Sequence, residues 1–181
     1  MAYYGSEAAV EAVDEFLGLA VYGINAELST MRTVLSVTTA NLPDVASIEK
    51  YYPKDLQSRE FPHLSIVYRS DTAETQPNSR MINLSIDLRL TVLDLNVDGG
   101  ESEMGVAMCR YRDALTKIFL RRTPMGKQGW TLNNGGTGTA QGKVIRATIE
   151  QNRLAFDPEI QASTPNMMLM TSLLVRMQED Y

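Results

Sequence analysis

The residue types that most often carry out chemistry are scarce in this chain. It contains one histidine, His63, and one cysteine, Cys109. A zinc or iron–sulfur site, or a catalytic triad with a histidine base, would have to be built from these two residues. A single cysteine also excludes a disulfide within the chain. The composition therefore disfavours metal, thiol and triad chemistry, and we expect no cofactor and no metal.

Two carboxylates, Asp87 and Asp94, could in principle act as a general acid and a general base. Asp87 lies in a segment where apolar and polar residues alternate, and its position in that alternation places it on the polar face. A carboxylate on the polar face of a sheet is far more often solvated than tuned for catalysis. We therefore expect Asp87 to be solvent-exposed and the protein not to be an enzyme.

The pair Gly142-Lys143 follows several glycines and invites comparison with a phosphate-binding P-loop. That motif has four residues between its two glycines and a serine or threonine after the lysine. Here five residues separate Gly136 from Gly142, and three separate Gly138 from Gly142. The residue after Lys143 is a valine, and the segment beyond it predicts a strand rather than a helix. The glycines therefore indicate a turn-rich loop and not a P-loop.

Charge and length limit the possible partners. The chain has 181 residues, a net charge of −5 and a pI near 4.9. This acidity argues against a basic nucleic-acid-binding surface and would suit a surface that lets a polyanion pass without binding it. No window approaches the roughly 20 unbroken apolar residues of a membrane span, so we expect no membrane contact. The first residues lack a basic and apolar leader, which predicts assembly in a cytosol.

The strongest structural signal is a long alternating segment over residues 79–95. Six apolar residues recur in it at a period of two: Ile82, Leu84, Ile86, Leu88, Leu90 and Val92. This period predicts a long strand with one apolar face. The apolar parity changes at Leu93 and Leu95, which predicts a bulge or bend near Val92 and Leu93.

Two segments have helical periodicity. Residues 6–31 carry apolar residues three or four apart with acids in the first turns, and Gly18 and Gly23 predict either close packing or an early end near Tyr22. Residues 101–122 carry a second apolar stripe, with acids at its start and arginines at its end.

Further strands are predicted over residues 48–52, 61–68, 143–152 and 167–178. The last of these is apolar on both parities over most of its length, which is typical of a central strand. The polar residues 69–79 have the composition of a connection that leads into the long strand as an exposed arm. Residues 125–142 form a glycine-rich loop carrying Trp130, the only tryptophan, and we expect this loop to contact a partner chain.

These elements predict an α+β fold: a mostly antiparallel sheet of four to five strands with two helices packed on one face. A single domain over residues 1–181, with extended loops near 69–79 and 125–142, accounts for the whole chain. This order of elements resembles the tail terminator, or tail completion, proteins of tailed bacteriophages. The resemblance rests on the N-terminal helix, the Phe-Pro-x-Leu-x-Ile strand at residues 61–66, the long strand at 80–95, a helix before a large loop, and two closing strands.

The resemblance implies a structural virion protein. Such proteins form a ring, usually a hexamer, at the head-proximal end of the tail tube, where they end tail polymerisation and join the tail to the neck. The implied partners are copies of the chain itself, the tail tube protein, a neck or connector protein and, in a contractile tail, the sheath protein; DNA would pass through without sequence-specific binding. The implied location is the virion tail, after assembly in the host cytoplasm. The residues predicted to contact subunits or partners are Trp130, Asn133, Asn134, Arg69 and Arg80.

Two other functions are compatible with the same pattern. A head-closure or neck protein has a similar size and similar partners. A dimeric α+β domain that binds a small molecule would have a ligand and no ring.

Overall fold

The computed structural model describes residues 5–50, 60–93, 101–119, 130–131, 143–155 and 166–180. Within these residues there are three helices: α1 (Gly5–Leu17), α2 (Ile24–Leu35) and α3 (Glu101–Ile118). The strands are β1 (Ser47–Lys50), β2 (His63–Gln76), β3 (Ser79–Leu93), β4 (Trp130–Thr131), β5 (Lys143–Ala155) and β6 (Asn166–Asp180).

The described strands form one sheet in the order β1-β2-β3-β6-β5-β4. β1 runs parallel to β2, and every other neighbouring pair is antiparallel. The predicted α+β fold is confirmed, and β4 is a two-residue addition at one edge. The long alternating strand β3 and the closing strand β6 occupy the middle of the sheet, and the apolar pattern of β6 is typical of such a position.

The core lies between the helices and one face of the sheet, which we name the first face. The alternating residues of β3 that were predicted to be apolar are all buried on it, each at most 1% exposed. They belong to one apolar cluster with Phe16 of α1, Leu28 of α2 and Tyr111 of α3. The rings of Phe16 and Phe119 meet with their centroids 5.6 Å apart. All three described helices therefore pack on the first face.

The segment predicted as one N-terminal helix is two helices. α1 ends at Leu17 and α2 begins at Ile24, so the break precedes the predicted early end near Tyr22. Gly23 is the residue before α2, and a Cβ added there would lie 2.3 Å from the carbonyl oxygen of Leu17. Close packing thus occurs at Gly23, but against the turn that ends α1 rather than against the sheet.

The bulge predicted at Val92 and Leu93 is absent. β3 pairs with β6 in unbroken register from Ser79 to Leu93. The register shifts lie instead in the strands that flank this central pair, at Arg69 in β2 and at Ile145 and Glu150 in β5. Leu93 is still paired with Asn166, so it is an apolar residue on the opposite face of the strand, and Leu95 lies outside the described residues.

The two predicted loops have more regular structure than expected. β2 continues to Gln76, so most of residues 69–79 is strand, and Pro77 and Asn78 make a two-residue turn between Gln76 and Ser79. These residues still form an exposed arm, since positions 71–75 are solvent-exposed. In the predicted loop 125–142, positions 130–131 form β4, and the rest lies outside the described residues.

Two polar contacts tie the layers together. The Tyr111 hydroxyl of α3 donates to the Pro43 carbonyl at 2.7 Å, and burial raises the pKa of this phenol above its ordinary value. The Nζ atom of Lys50 in β1 lies 2.7 Å from Oε2 of Glu11 and 3.2 Å from Oδ2 of Asp14, both on α1. The hydrogen bond to Glu11 is the main reason why the pKa of Lys50 is raised above its ordinary value.

Two glycine substitutions should have opposite effects on stability. Gly23→Ala places a methyl group against backbone oxygens that cannot move without disturbing the α1–α2 turn, so we expect a loss of about 2 kcal/mol or more. Gly105→Ala adds a methyl group to α3 where no atom lies within 4 Å, and we expect a gain of about 0.5–1 kcal/mol. Urea denaturation measures both. Equal effects of the two substitutions would contradict the close approach at Gly23.

Lys50→Met should lower the free energy of unfolding by about 1 kcal/mol near neutral pH, because it leaves two neighbouring carboxylates without their cation. The pKa of Lys50 is higher in the folded protein, so its contribution is fully present below the ordinary value of 10.5 and is lost as the pH rises above it. The difference between Lys50→Met and the wild type should therefore shrink in alkaline denaturation experiments. Lys117→Met, at the more exposed pair with Glu27, is the matched control and should cost less. A pH-independent difference for Lys50→Met would contradict the ion pair.

Candidate interaction surface

The face of the sheet opposite the helices, which we name the second face, carries a concentration of arginines. In β3 it is formed by the odd-numbered residues and in β6 by the even-numbered ones, because successive side chains point to opposite sides. Cross-strand pairing places five arginines on this face: Arg69, Arg89, Arg146, Arg153 and Arg176. The same face also carries Glu49, Glu74, Asp87 and Asp180, so the arginines form a local cationic cluster in a protein with a net charge of −5.

Asp87 lies at the centre of these arginines. Its side chain is 1% exposed, and Oδ1 accepts a hydrogen bond of 3.0 Å from the hydroxyl of Ser172, its neighbour on β6. Oδ2 lies 3.5 Å from Nε of Arg69 and 3.8 Å from a terminal nitrogen of Arg89. The predicted face of Asp87 is therefore correct, but the prediction that it is solvated is wrong. The carboxylate is buried because cationic and hydroxyl partners surround it.

The bulge in β2 brings Arg69 into this cluster. Tyr68 pairs with Ile86 and Ser70 pairs with Ser85, which leaves Arg69 as the extra residue between them. A bulge bends its strand and redirects the extra side chain. Arg69 thereby reaches Asp87 with its Nε while its side chain stays 56% exposed.

A surface depression lies beside Asp87 and is lined by Arg69, Gln151, Arg153, Met170 and Ser172. The bulge at Glu150 sets Gln151 opposite Ser172, and Arg153 follows opposite Met170. A terminal nitrogen of Arg153 lies 3.6 Å from the sulfur of Met170, and a thioether is a weak acceptor. Arg153 therefore retains most of its capacity to donate hydrogen bonds to an incoming anion.

The electrostatics of the cluster favour an anionic ligand. Arg69 and Arg89 place two positive charges beside the carboxylate of Asp87, and Arg153 adds a third in the lining of the adjacent depression. Guanidinium groups bind carboxylate and phosphate oxygens through paired hydrogen bonds. Asp87 holds Arg69 and Arg89 in place, so these two side chains are partly ordered before any ligand binds.

Two of the residues predicted to contact partners, Arg69 and Arg80, lie apart in the structure. Arg69 lies in the cluster, whereas Arg80 belongs to the even-numbered residues of β3 on the first face. Arg80 pairs with Thr75, so about 20 Å of strand separates it from Arg69. The backbone of Trp130 in β4 pairs with that of Val144 in β5. Asn133 and Asn134 lie outside the described residues.

Arg89, Arg153 and Ser172 were not predicted to be part of a site. Arg89 has the same parity as Asp87 in the alternating segment, so the sequence alone indicates that the two side chains share a face. Arg153 and Ser172 lie far from Asp87 along the chain, and only the strand order β3-β6-β5 brings them beside it.

The single histidine has a structural environment. His63 is 1% exposed, with Nδ1 2.6 Å from the Ser47 hydroxyl and Nε2 3.0 Å from the Ser65 hydroxyl. The Ser47 hydroxyl also donates to the carbonyl of Glu60 at 2.9 Å. In the described part of the chain, no group of three or more His, Cys, Asp or Glu side chains is placed to hold a metal ion. No helix there is both long enough and apolar enough to span a membrane.

Comparisons with known proteins assign no family. No protein-family profile matches the sequence, and no curated protein matches it. Among solved structures, a chain of a structure described as "Virion of native gene transfer agent (GTA) particle" aligns with a TM-score of 0.44 at 10% identity. The alignment covers 99% of this chain and 100% of that chain. Because this TM-score is below 0.5, the likeness defines neither a fold family nor a function.

Removing the central carboxylate should destabilise the second face. Asp87→Ala leaves Arg69 and Arg89 beside a cavity without their shared anion, and we expect a loss of about 2–3 kcal/mol. Ser172→Ala removes one hydrogen bond to the same carboxylate and should cost about 1–2 kcal/mol. Thermal or urea unfolding of both variants measures the losses. If Asp87→Ala unfolds like the wild type, the carboxylate does not organise the cluster.

Proposed function

We propose that this chain is a structural virion protein of the tail terminator class, which assembles as a ring at the head-proximal end of a phage tail tube. It would end tube growth there and provide a docking surface for the neck. The observation that carries the proposal is the order of elements along the chain: the N-terminal helices, the long strand β3, the helix after it and the two closing strands β5 and β6 follow the layout on which the resemblance to tail terminators rests.

The edges of the sheet support a role in ending assembly. β1 pairs with residues 63–66 of β2, so the rest of that edge has no partner strand among the described residues. This free stretch carries the bulge at Arg69 and the charged residues Asp71 and Glu74. Bulges and charges on an edge discourage the addition of further strands. A protein that caps a growing tube needs such an edge, because it must bind the last ring without continuing the polymer.

The two-layer shape also supports ring assembly. In a ring, each subunit contacts the next through two different surfaces that fit one another. Such a head-to-tail contact closes when the rotation from one subunit to the next is a whole fraction of a full turn. Here the helical side and the second face differ in structure and in charge. A small, acidic ring would also avoid trapping DNA during its passage.

Electron microscopy tests this proposal directly. The purified protein, alone and mixed with purified tail tubes, should form rings of a single size, and these rings should be found at one end of the tubes. We expect six-fold symmetry. Tubes polymerised in the presence of the protein should also stop growing at a lower length than tubes without it.

The outcomes separate the proposal from its alternatives. A protein that leaves the tubes bare but binds a connector or portal ring would belong to the neck class. A dimer that ignores both assemblies and carries a bound small molecule in native mass spectrometry would contradict the virion role.

A further inference from the structure

We infer that the arginine-lined depression of the second face receives the acidic side of helix α1 from a second copy of this chain. This inference specifies the contact between subunits of the proposed ring and therefore rests on the proposed function. It assigns a partner to the cluster formed by Arg69, Arg153 and Ser172 around Asp87.

The acidic surface that would enter the depression is a single stripe on α1. Its four acids are spaced three, four or one residue apart and so share one side of the helix: Glu7, Glu11, Asp14 and Glu15. The other sides of α1 are buried in the core, and its sequence contains no lysine or arginine. Glu11 and Asp14 are ion-paired with Lys50, and their side chains are only 13% and 28% exposed, so Glu7 is the acid that we assign to the contact. Glu7 is solvent-exposed in the first turn of the helix.

The two charged surfaces lie on opposite sides of the two-layer body. α1 packs on the first face through residues such as Val13 and Phe16, whereas the arginines belong to the second face. Copies stacked in the same orientation would bring the acids of one against the arginines of the next. Two copies joined through their second faces would instead bring arginines against arginines, which is unfavourable. Charge complementarity therefore favours the head-to-tail contact that a ring requires.

A protein partner is a better fit than DNA. The depression is small, lies beside the buried carboxylate of Asp87, and has a thioether and an amide in its lining, so it is a compact site for one or two carboxylates. A duplex phosphate backbone would need cations along an extended surface, and the net charge of −5 would oppose its approach.

Charge reversal tests the contact. Arg153→Glu and Glu7→Arg should each raise the dissociation constant for self-association by about tenfold or more, measured by sedimentation velocity. The double variant Arg153→Glu/Glu7→Arg restores opposite charges across the contact and should recover much of the wild-type association. High salt should weaken association of the wild type and of the double variant alike.

The control is Arg112→Glu, which makes the same change in net charge on α3, where Arg112 pairs with its neighbour Asp113. It should associate like the wild type. Melting temperatures of all variants identify any that fail to fold; Arg153→Gln, which removes the charge of this side chain without reversing it, then takes the place of Arg153→Glu.

The results distinguish the inference from the proposed function. If the wild type forms rings that cap tubes and the reversals leave association unchanged, this contact is wrong while the proposed function stands. If the double variant rescues association but the assemblies do not recognise tubes in electron micrographs, the contact stands and the terminator function is wrong. A wild type that remains monomeric overturns the contact. Binding to linear duplex DNA that Arg153→Glu abolishes, with self-association unchanged, would assign the arginines to nucleic acid instead.

Discussion

The structure depends on the burial of one side of β3. Its even-numbered apolar residues are covered by helices from two separate parts of the chain, α1 and α2 before the sheet and α3 after its first three strands. Burying an aliphatic side chain of this kind contributes about 1.5–3 kcal/mol, so this single row supplies a large share of the driving force for folding. The neighbours β2 and β6 align their own apolar residues with it, as Leu90 faces Leu64 on one side and Leu169 on the other.

The regular pairing of β3 with β6 has a consequence for the second face. Because the central pair stays in register over its whole length, the departures from regularity occur in the outer strands β2 and β5. The extra residue of β2 is Arg69, which reaches the buried carboxylate of Asp87. The bulge at Glu150 in β5 sets Gln151 opposite Ser172, which donates a hydrogen bond to the same carboxylate. The core thus supports a cluster in which the carboxylate of Asp87 holds Arg69 and Arg89 in place. Arg69 remains accessible to an anion from another molecule.

The distribution of charge gives the molecule two distinct sides. The helical side carries the acidic stripe of α1, and the second face carries the arginines. Such a molecule can associate with its own copies without a symmetric contact, and its edges carry bulges and charges that resist strand addition.

Local patterns in the sequence determined most of the secondary structure. Three patterns show which side of an element is buried: the period of two in β3, the helical stripe of α3 and the apolar character of β6. Each pattern is contained in the residues of that one element, so it can be read from the sequence. The sequence also placed Asp87 on the correct face. Gly18 and Gly23 also indicated that the N-terminal helix ends early. The tertiary structure decided the surroundings of Asp87 and the positions of the bulges. These features depend on which strands pair and in which register, so no local pattern of residue types could contain them.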